Sequence, residues 1–432
     1  MDASIEALSP RARRVHADSE TAVARYRAVR AATERLADPL SAEDCAAQSM
    51  PDASPVKWHL AHTSWFFETF LLEPALPGYR PFHPAFRVLF NSYYHGVGAQ
   101  HPRPRRGLLT RPSLDAVRAY RAYVDEHVCR WLEDAATGAL APVLELGLHH
   151  EQQHQELILT DVKHLLAQNP LRPAYREDLP LPPVPASPPS LAWHRHEAGL
   201  RAIGSDGPGF HFDNEGPRHR QWLAAFELAS RPVTNREYCA FVEDGSYAAP
   251  DTWLSDGWDA ARREGWQAPA YWERRDGAWF EFTLGGLRAL DLDAPVCHVS
   301  YYEADAFARW AGARLPTEGE WEVAAGAVPL AGHFAEEGWL HPAAAPPDAV
   351  EPRQLFGDVW EWTQSAYAPY PGFRAAAGAL GEYNGKFMCS QLVLRGGSCA
   401  TPRGHVRPSY RNFFPPCARW QFSGIRLARD AR

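Results

Sequence analysis

Eight prolines fall between Pro170 and Pro189, in the run "NPLRPAYREDLPLPPVPASPPS". Proline fixes φ and lacks a backbone N–H, so no helix interior and no central strand can run through such a segment. The chain therefore has to fold as parts on either side of it, and 432 residues suffice for two domains. The reading is a helical domain over 1–169, an extended tether over 170–190, and a second domain over 191–432.

The two sides differ in texture. In "SLDAVRAYRAYVDEHVCRWLED" the residues Leu114, Val117, Tyr120, Val124, Val128 and Leu132 recur three or four apart, the period of a helix with one buried stripe. Comparable stretches near 19–37, 55–73, 113–135 and 139–168 predict a four-helix bundle. The second and third are joined by "LPGYRPFHPAFRVLFNSYYHGVGAQHPRPRRGLLTRP", too long for a bundle turn and too aromatic for disorder. Beyond the prolines come short β-type runs rich in Trp, Gly and Pro, with two predicted helices. Each of those opens with a capping box, Ser300 with Glu303 and Thr317 with Glu320. The fold class is thus multidomain, α followed by α+β.

A formal charge of −8 gives no reason to expect nucleic acid or an anionic membrane as partner. Seven cysteines with no CxxC pair fit reduced thiols better than a disulfide framework. No secretory leader and no run of about 18 apolar residues is visible, so the expected location is the cytoplasm.

"LGLHHEQQHQELILTD" carries the chemistry. On a helix His150 and His154 leave the same face about 40° apart, as two ligands of one metal must. Glu156 lies about 200° from His154 and is read as a supporting carboxylate, while His149 points about 100° away from His150 and is read as a hydrogen-bonding residue of the fold. A third ligand has to come from another helix of the bundle, and "KWHLAHTSWFFETF" offers His59 and His62. Three neutral imidazoles suit zinc, iron or copper, so spacing alone leaves the metal open.

His62 in "WHLAH" followed by His150-x3-His154-x-Glu156 resembles the iron-binding pattern of the ergothioneine-type sulfoxide synthases, whose N-terminal domain is a DinB-like bundle. "RPVTNREYCAFVEDG", "PVCHVSYYEADAFARWAGARLPTEGEWEVAAG", "FGDVWEWTQSAY" and "LRGGSCATPRGHVRPSYRNFFPPCARWQFSGIRLAR" resemble the C-type-lectin-like, formylglycine-generating-enzyme-like domain that those synthases carry second. The resemblance implies an Fe(II)- and O2-dependent enzyme that joins a thiol to C2 of the imidazole of hercynine and leaves the sulfur as a sulfoxide. It implies His62, His150 and His154 as iron ligands, with His59 a structural neighbour. The adjacent tyrosines of "LFNSYYHGVG" match a branch associated with cysteine as donor, which makes Tyr93 and Tyr94 the expected active-site phenols. A phenol near the metal can supply a proton or a hydrogen atom as oxygen is reduced.

The same resemblance places "SYRNFFPP" at the substrate, with Asn412 directed at it and Phe413 and Phe414 facing its trimethylammonium, a group that cannot donate a hydrogen bond and is held by aromatic faces. Gln153, near the ligand stripe, is a further candidate for hercynine. The donor's carboxylate calls for a guanidinium. Arg87 and Arg103 rank first, with Arg106 of the same loop and Arg411 beside the aromatic pair also available. Two features depart from related patterns: the close cysteine pair of true formylglycine-generating enzymes is absent, since Cys399 and Cys417 are far apart, and no methyltransferase segment follows. A selenoneine-type synthase, which takes a selenosugar in place of cysteine, fits the same motifs. Readings of other classes are a DinB-type metal-dependent thiol transferase and a lectin-like binding protein on a zinc-stabilised bundle.

Overall fold

The computed structural model describes residues 10–134, 138–185, 189–347 and 352–431, with side chains from residue 22 onward. The chain divides into two compact units, 1–158 and 159–432. The division thus falls inside the last helix of the predicted bundle, ahead of the prolines.

The first unit is helical. Helices α1 (Pro10–Ala37), α2 (Val56–Phe67), α3 (Leu114–Asp134) and α4 (Ala141–Ala167) match the four predicted stretches, and α4 from Leu159 onward belongs to the second unit. The predicted stripe of α3 is buried throughout. Helix α2 differs, because all twelve of its residues are buried, polar ones included. A helix covered on every side is a core helix, and its polar groups must find partners inside the protein or serve a purpose. Its end loosens into a π-helical turn, Glu68–Leu72, where the Glu68 carboxylate accepts from Tyr79 Oη (2.9 Å), Tyr120 Oη (2.7 Å) and Phe82 N (3.0 Å). That anchors the start of the long aromatic loop, which also holds a helical turn at Phe86–Leu89 and a 3-10 turn at Arg103–Leu108.

The second unit is built of small sheets. Strands β1 (Trp193–His196), β4 (Phe226–Ala229) and β12 (Ala428–Asp430) form one antiparallel sheet with β4 in the middle. Strands β8 (Trp360–Ala366), β9 (Leu392–Arg395), β10 (Asn412–Phe414) and β11 (Ser423–Gly424) form another in the order β10-β9-β8-β11, with β11 parallel to β8. β2 (Gly199–Ile203) pairs with β3 (His219–Leu223), and β5 (Trp272–Arg275), β6 (Ala278–Thr283) and β7 (Gly286–Ala289) make a meander.

Among the described residues beyond the prolines, four α-helices accompany these sheets where the sequence suggests two. Those predicted are α7 (Tyr301–Trp310) and α8 (Glu318–Ala325), and both capping boxes are formed. The additional ones are α5 (Asn235–Glu243) and α6 (Ser255–Glu264). A third capping box, Thr234 with Glu237, starts α5 and was the missed signal. α6 has no side-chain cap at its start and ends at Gly265 with φ +66°, which a side chain would strain.

The first part of the proline-rich run is docked, while Leu181 and Val184 farther along are exposed. Tyr175 N and Arg176 N both donate to Leu284 O, at 2.9 and 3.2 Å, and the Tyr175 and Leu179 side chains are buried. Residues 186–188 of the run lie outside the described part. All seven cysteines are free, and no described helix is long and apolar enough to cross a membrane.

Candidate metal centre

His62, His150 and His154 are buried and each offers one ring nitrogen, all within 4.8 Å of one another. Their ring centroids are 4.6 to 4.9 Å apart. Imidazole nitrogens about 2.1 Å from one ion lie about 3 to 4 Å from each other, so small ring movements close the trio on a metal. The three come from α2 and α4, and Glu156 stands outside them.

The surroundings fit a metal. Phe90 O lies 2.6 Å from His62 Nδ1, and a carbonyl only accepts, so Nδ1 carries the proton and Nε2 keeps its lone pair. That Nε2 is buried and has no hydrogen-bond partner among the described residues. Trp58 and Trp65 stack on the same imidazole, at 4.5 and 5.4 Å with interplanar angles of 14° and 16°, which fixes its plane. His59 is outside the trio, and its Nδ1 lies 2.7 Å from His154 Nδ1, where it orients that ring. Burial pushes the His62 imidazole well below its usual range, with His150 adding to the effect. Burial likewise brings His150 down to about 3 and, helped by His150 and His62, lowers His154. All three are therefore neutral near pH 7, the form that binds metal.

Of the predicted phenols, Tyr94 is fully buried and Tyr93 half-buried, stacked on each other at 4.6 Å. Tyr94 packs on Trp65 at 5.5 Å, the indole that covers His62, and on Phe66 at 6.5 Å, whose ring meets His150 at 4.7 Å. The phenol loop is thus one aromatic layer from two of the three histidines. Gln153 is half-buried on α4.

The candidate arginines are placed differently from one another. Arg87 is exposed and pairs with Glu73 at 2.8 Å, and Arg103 is a surface residue whose guanidinium donates to Asp52 O. Arg106 is the buried one: its guanidinium lies 3.3 Å from the centre of the Trp58 ring and donates to Ser54 Oγ (2.9 Å) and Ser92 Oγ (3.1 Å). Its charge helps to depress His62 and His154. Nothing in "RPRR" distinguishes it; the face of Trp58, on another helix, does.

In the second unit Arg411 is also committed. It donates to both Glu318 oxygens (2.8 and 3.0 Å), to Asn214 O and to Ala368 O, which leaves no open guanidinium edge for a substrate carboxylate. Asn412 Oδ1 accepts from Phe413 N at 2.9 Å. Phe413 and Phe414 are neighbours on β10, and neighbouring side chains of a strand leave opposite faces. Phe413 stacks on Tyr367 at 4.0 Å while Phe414 meets Trp420 edge-on at 5.7 Å, so the two rings do not form one wall. Tyr367 and Trp420 are the partners that sequence reasoning did not find.

Comparison with known proteins agrees with both halves. Residues 25–158 match the DinB superfamily, and residues 195–350 and 341–431 match the sulfatase-modifying factor enzyme 1-like domain. The hercynine oxygenase of Mycobacterium tuberculosis is 35% identical over 434 residues, covering 93% of this chain and 96% of that protein. The hercynine oxygenase of Mycolicibacterium smegmatis is 34% identical over 419 residues, covering 89% and 92%. The formylglycine-generating enzyme of Streptomyces coelicolor is 29% identical over 280 residues, covering 52% of this chain and 84% of that protein. A DinB-type bundle with a buried histidine trio, followed by a formylglycine-generating-enzyme-like domain, defines the class: a two-domain oxygenase. Within that class the chain belongs to the hercynine oxygenase family.

Proposed function

We propose that this protein is an iron(II)- and oxygen-dependent oxidoreductase of ergothioneine biosynthesis, joining cysteine to C2 of the hercynine imidazole with oxidation of the sulfur to the sulfoxide. The observation that carries the reading is the buried trio of neutral imidazoles with His62 Nε2 left without a partner among the described residues, in a chain of the hercynine oxygenase family. Iron held by His62, His150 and His154 would supply oxygen activation and, with only three protein ligands, room for substrates.

The protein's own groups divide the remaining tasks. Phe90 O and His59 fix which nitrogens of His62 and His154 face inward. Tyr94, with Tyr93 stacked on it, is the proton or hydrogen-atom donor. Arg106 provides positive charge for the donor's carboxylate, in preference to Arg87 and Arg103. For hercynine, Gln153 is the candidate of the first unit, and Asn412 with Phe413 and Phe414, each ring with its own partner, are the candidates of the second, the rings suited to its trimethylammonium.

Anaerobic loading with Fe(II), then oxygen uptake and mass analysis with hercynine and cysteine, γ-glutamylcysteine or a selenosugar, tests this. The expected product is hercynylcysteine sulfoxide from cysteine. Turnover with the selenosugar alone would move the protein to selenoneine formation. Bound iron without oxygen uptake from any donor would remove the oxidoreductase reading.

A further inference from the structure

Three consecutive residues of the long loop each hold a different part of the centre. Phe90 O accepts from His62 Nδ1 at 2.6 Å, and Ser92 Oγ accepts from Arg106 at 3.1 Å. Between them Asn91 is fully buried and turned back on its own loop. Its Nδ2 lies within hydrogen-bond distance of Tyr94 O (3.0 Å), Gly98 O (3.2 Å) and Ala99 O (3.3 Å), while its Oδ1 accepts from Tyr94 N at 3.1 Å. Tyr94 is thus gripped through both its N–H and its C=O by one carboxamide. The backbone adds Val97 N to Tyr94 O (3.1 Å) and Gly98 N to His95 O (3.1 Å), closing a tight turn at Gly98, where φ is +131°.

We infer that Asn91 is a positioning residue: it sets the place of the Tyr94 phenol and couples it, through the adjoining Phe90 carbonyl and Ser92 hydroxyl, to the orientation of His62 and of Arg106. No other residue type does this. Only a carboxamide offers a donor toward three carbonyls and an acceptor toward an N–H on a side chain this short. Aspartate has the same size but presents only acceptors, setting a negative oxygen against the three carbonyls. The wider consequence is that the fate of oxygen depends on a residue that itself contacts neither substrate nor metal. A misplaced phenol allows oxygen to be spent on the thiol alone, two thiols giving a disulfide as O2 becomes H2O2, without delivery into the sulfoxide.

The inference rests on the function proposed above, and the test separates the two. In Asn91→Asp and Asn91→Ala, hydrogen exchange of a peptide covering 91–99 is compared with one covering 145–157. Faster exchange confined to the first is expected. With hercynine and cysteine, kcat for sulfoxide is expected to fall about tenfold or more with KM changed less than about threefold, and less sulfoxide to form per oxygen consumed. A merely structural role would lower all readouts together, along with melting temperature. Should the alanine variant fail to fold, the aspartate variant decides. Exchange and sulfoxide yield like wild type in a folded variant would overturn the inference. Faster exchange confined to the first peptide in the variants, with wild-type protein that turns over no donor, would overturn the function instead.

Discussion

Two buried polar clusters share helices α2 and α4, and they treat polar atoms in opposite ways. On one side of α2 stands the histidine trio, where His62 Nε2 has no hydrogen-bond partner among the described residues. About 200° around, at Ser64, stands a saturated knot. There Glu151 lies between Arg30 (2.8 Å) and Arg121 (3.0 Å), all three buried. Arg30 also donates to Ser64 Oγ (2.6 Å), and Arg121 to Leu60 O (2.8 Å) and Thr63 Oγ1 (2.9 Å). Burial alone would raise the Glu151 carboxyl, but the two guanidinium groups outweigh it and hold it at about 2. Adjacent residues of one helix, His150 and Glu151, thus belong to different clusters. A buried polar group with every bond made holds helices in place, whereas the lone pair of His62 Nε2 asks for another explanation, and a metal supplies one.

The largest effect should come from the saturated side. Glu151→Ala leaves two buried cations without their shared anion, so metal-free protein should lose about 3 to 5 kcal/mol of stability by denaturant titration. A loss under about 1 kcal/mol would mean that the knot is not what fixes α2 against α4.

The unpaired side should respond to metal. At about a hundred times its dissociation constant, ferrous iron added without oxygen should stabilise the fold by about 2.7 kcal/mol, read as a rise in melting temperature. His62→Ala should abolish that rise. An equal rise in the variant would place the metal elsewhere.

The third prediction is pH dependence of the metal-free protein. The imidazoles of His62, His150 and His154 are lowered in the folded state, so the unfolded chain binds protons more readily. Stability is therefore intact above the unfolded value of about 6.5 and is lost as pH falls below it, for His150 down to about 3. Between pH 6.5 and 5 the cost should be about 1.6 kcal/mol for each histidine that stays neutral. Bound metal should raise the profile without removing its slope, because the rings stay unprotonated in the folded protein either way, and a flat metal-free profile would mean that the three rings are solvated.

Smaller effects separate the arginines. Arg106→Lys loses the planar stack on Trp58 and the forked donors, and should raise KM for the thiol about tenfold, or about 1.4 kcal/mol, in steady-state kinetics. Arg87→Ala and Arg103→Ala, at the surface, should change it by less than about 0.5 kcal/mol. A larger effect of Arg103 than of Arg106 would restore the order read from sequence.

The amino-acid sequence by itself determined whatever is local. The i, i+4 spacing of His150 and His154, the buried stripe of α3, and the boxes that start α7 and α8 all follow from one helix and its first turn. The box at Thr234 was equally legible and went unread, as was the divergence of Phe413 and Phe414 once they are placed on a strand. Only the tertiary structure decided what depends on atoms distant in sequence. It fixed the nitrogen of His62 through Phe90 O, buried Arg106 against the face of Trp58 while leaving Arg103 at the surface, and occupied Arg411 through Glu318. The physical reason is that periodicity states which way a side chain leaves its own element, whereas a proton's place and a charge's partner are set by whichever group the packing brings opposite.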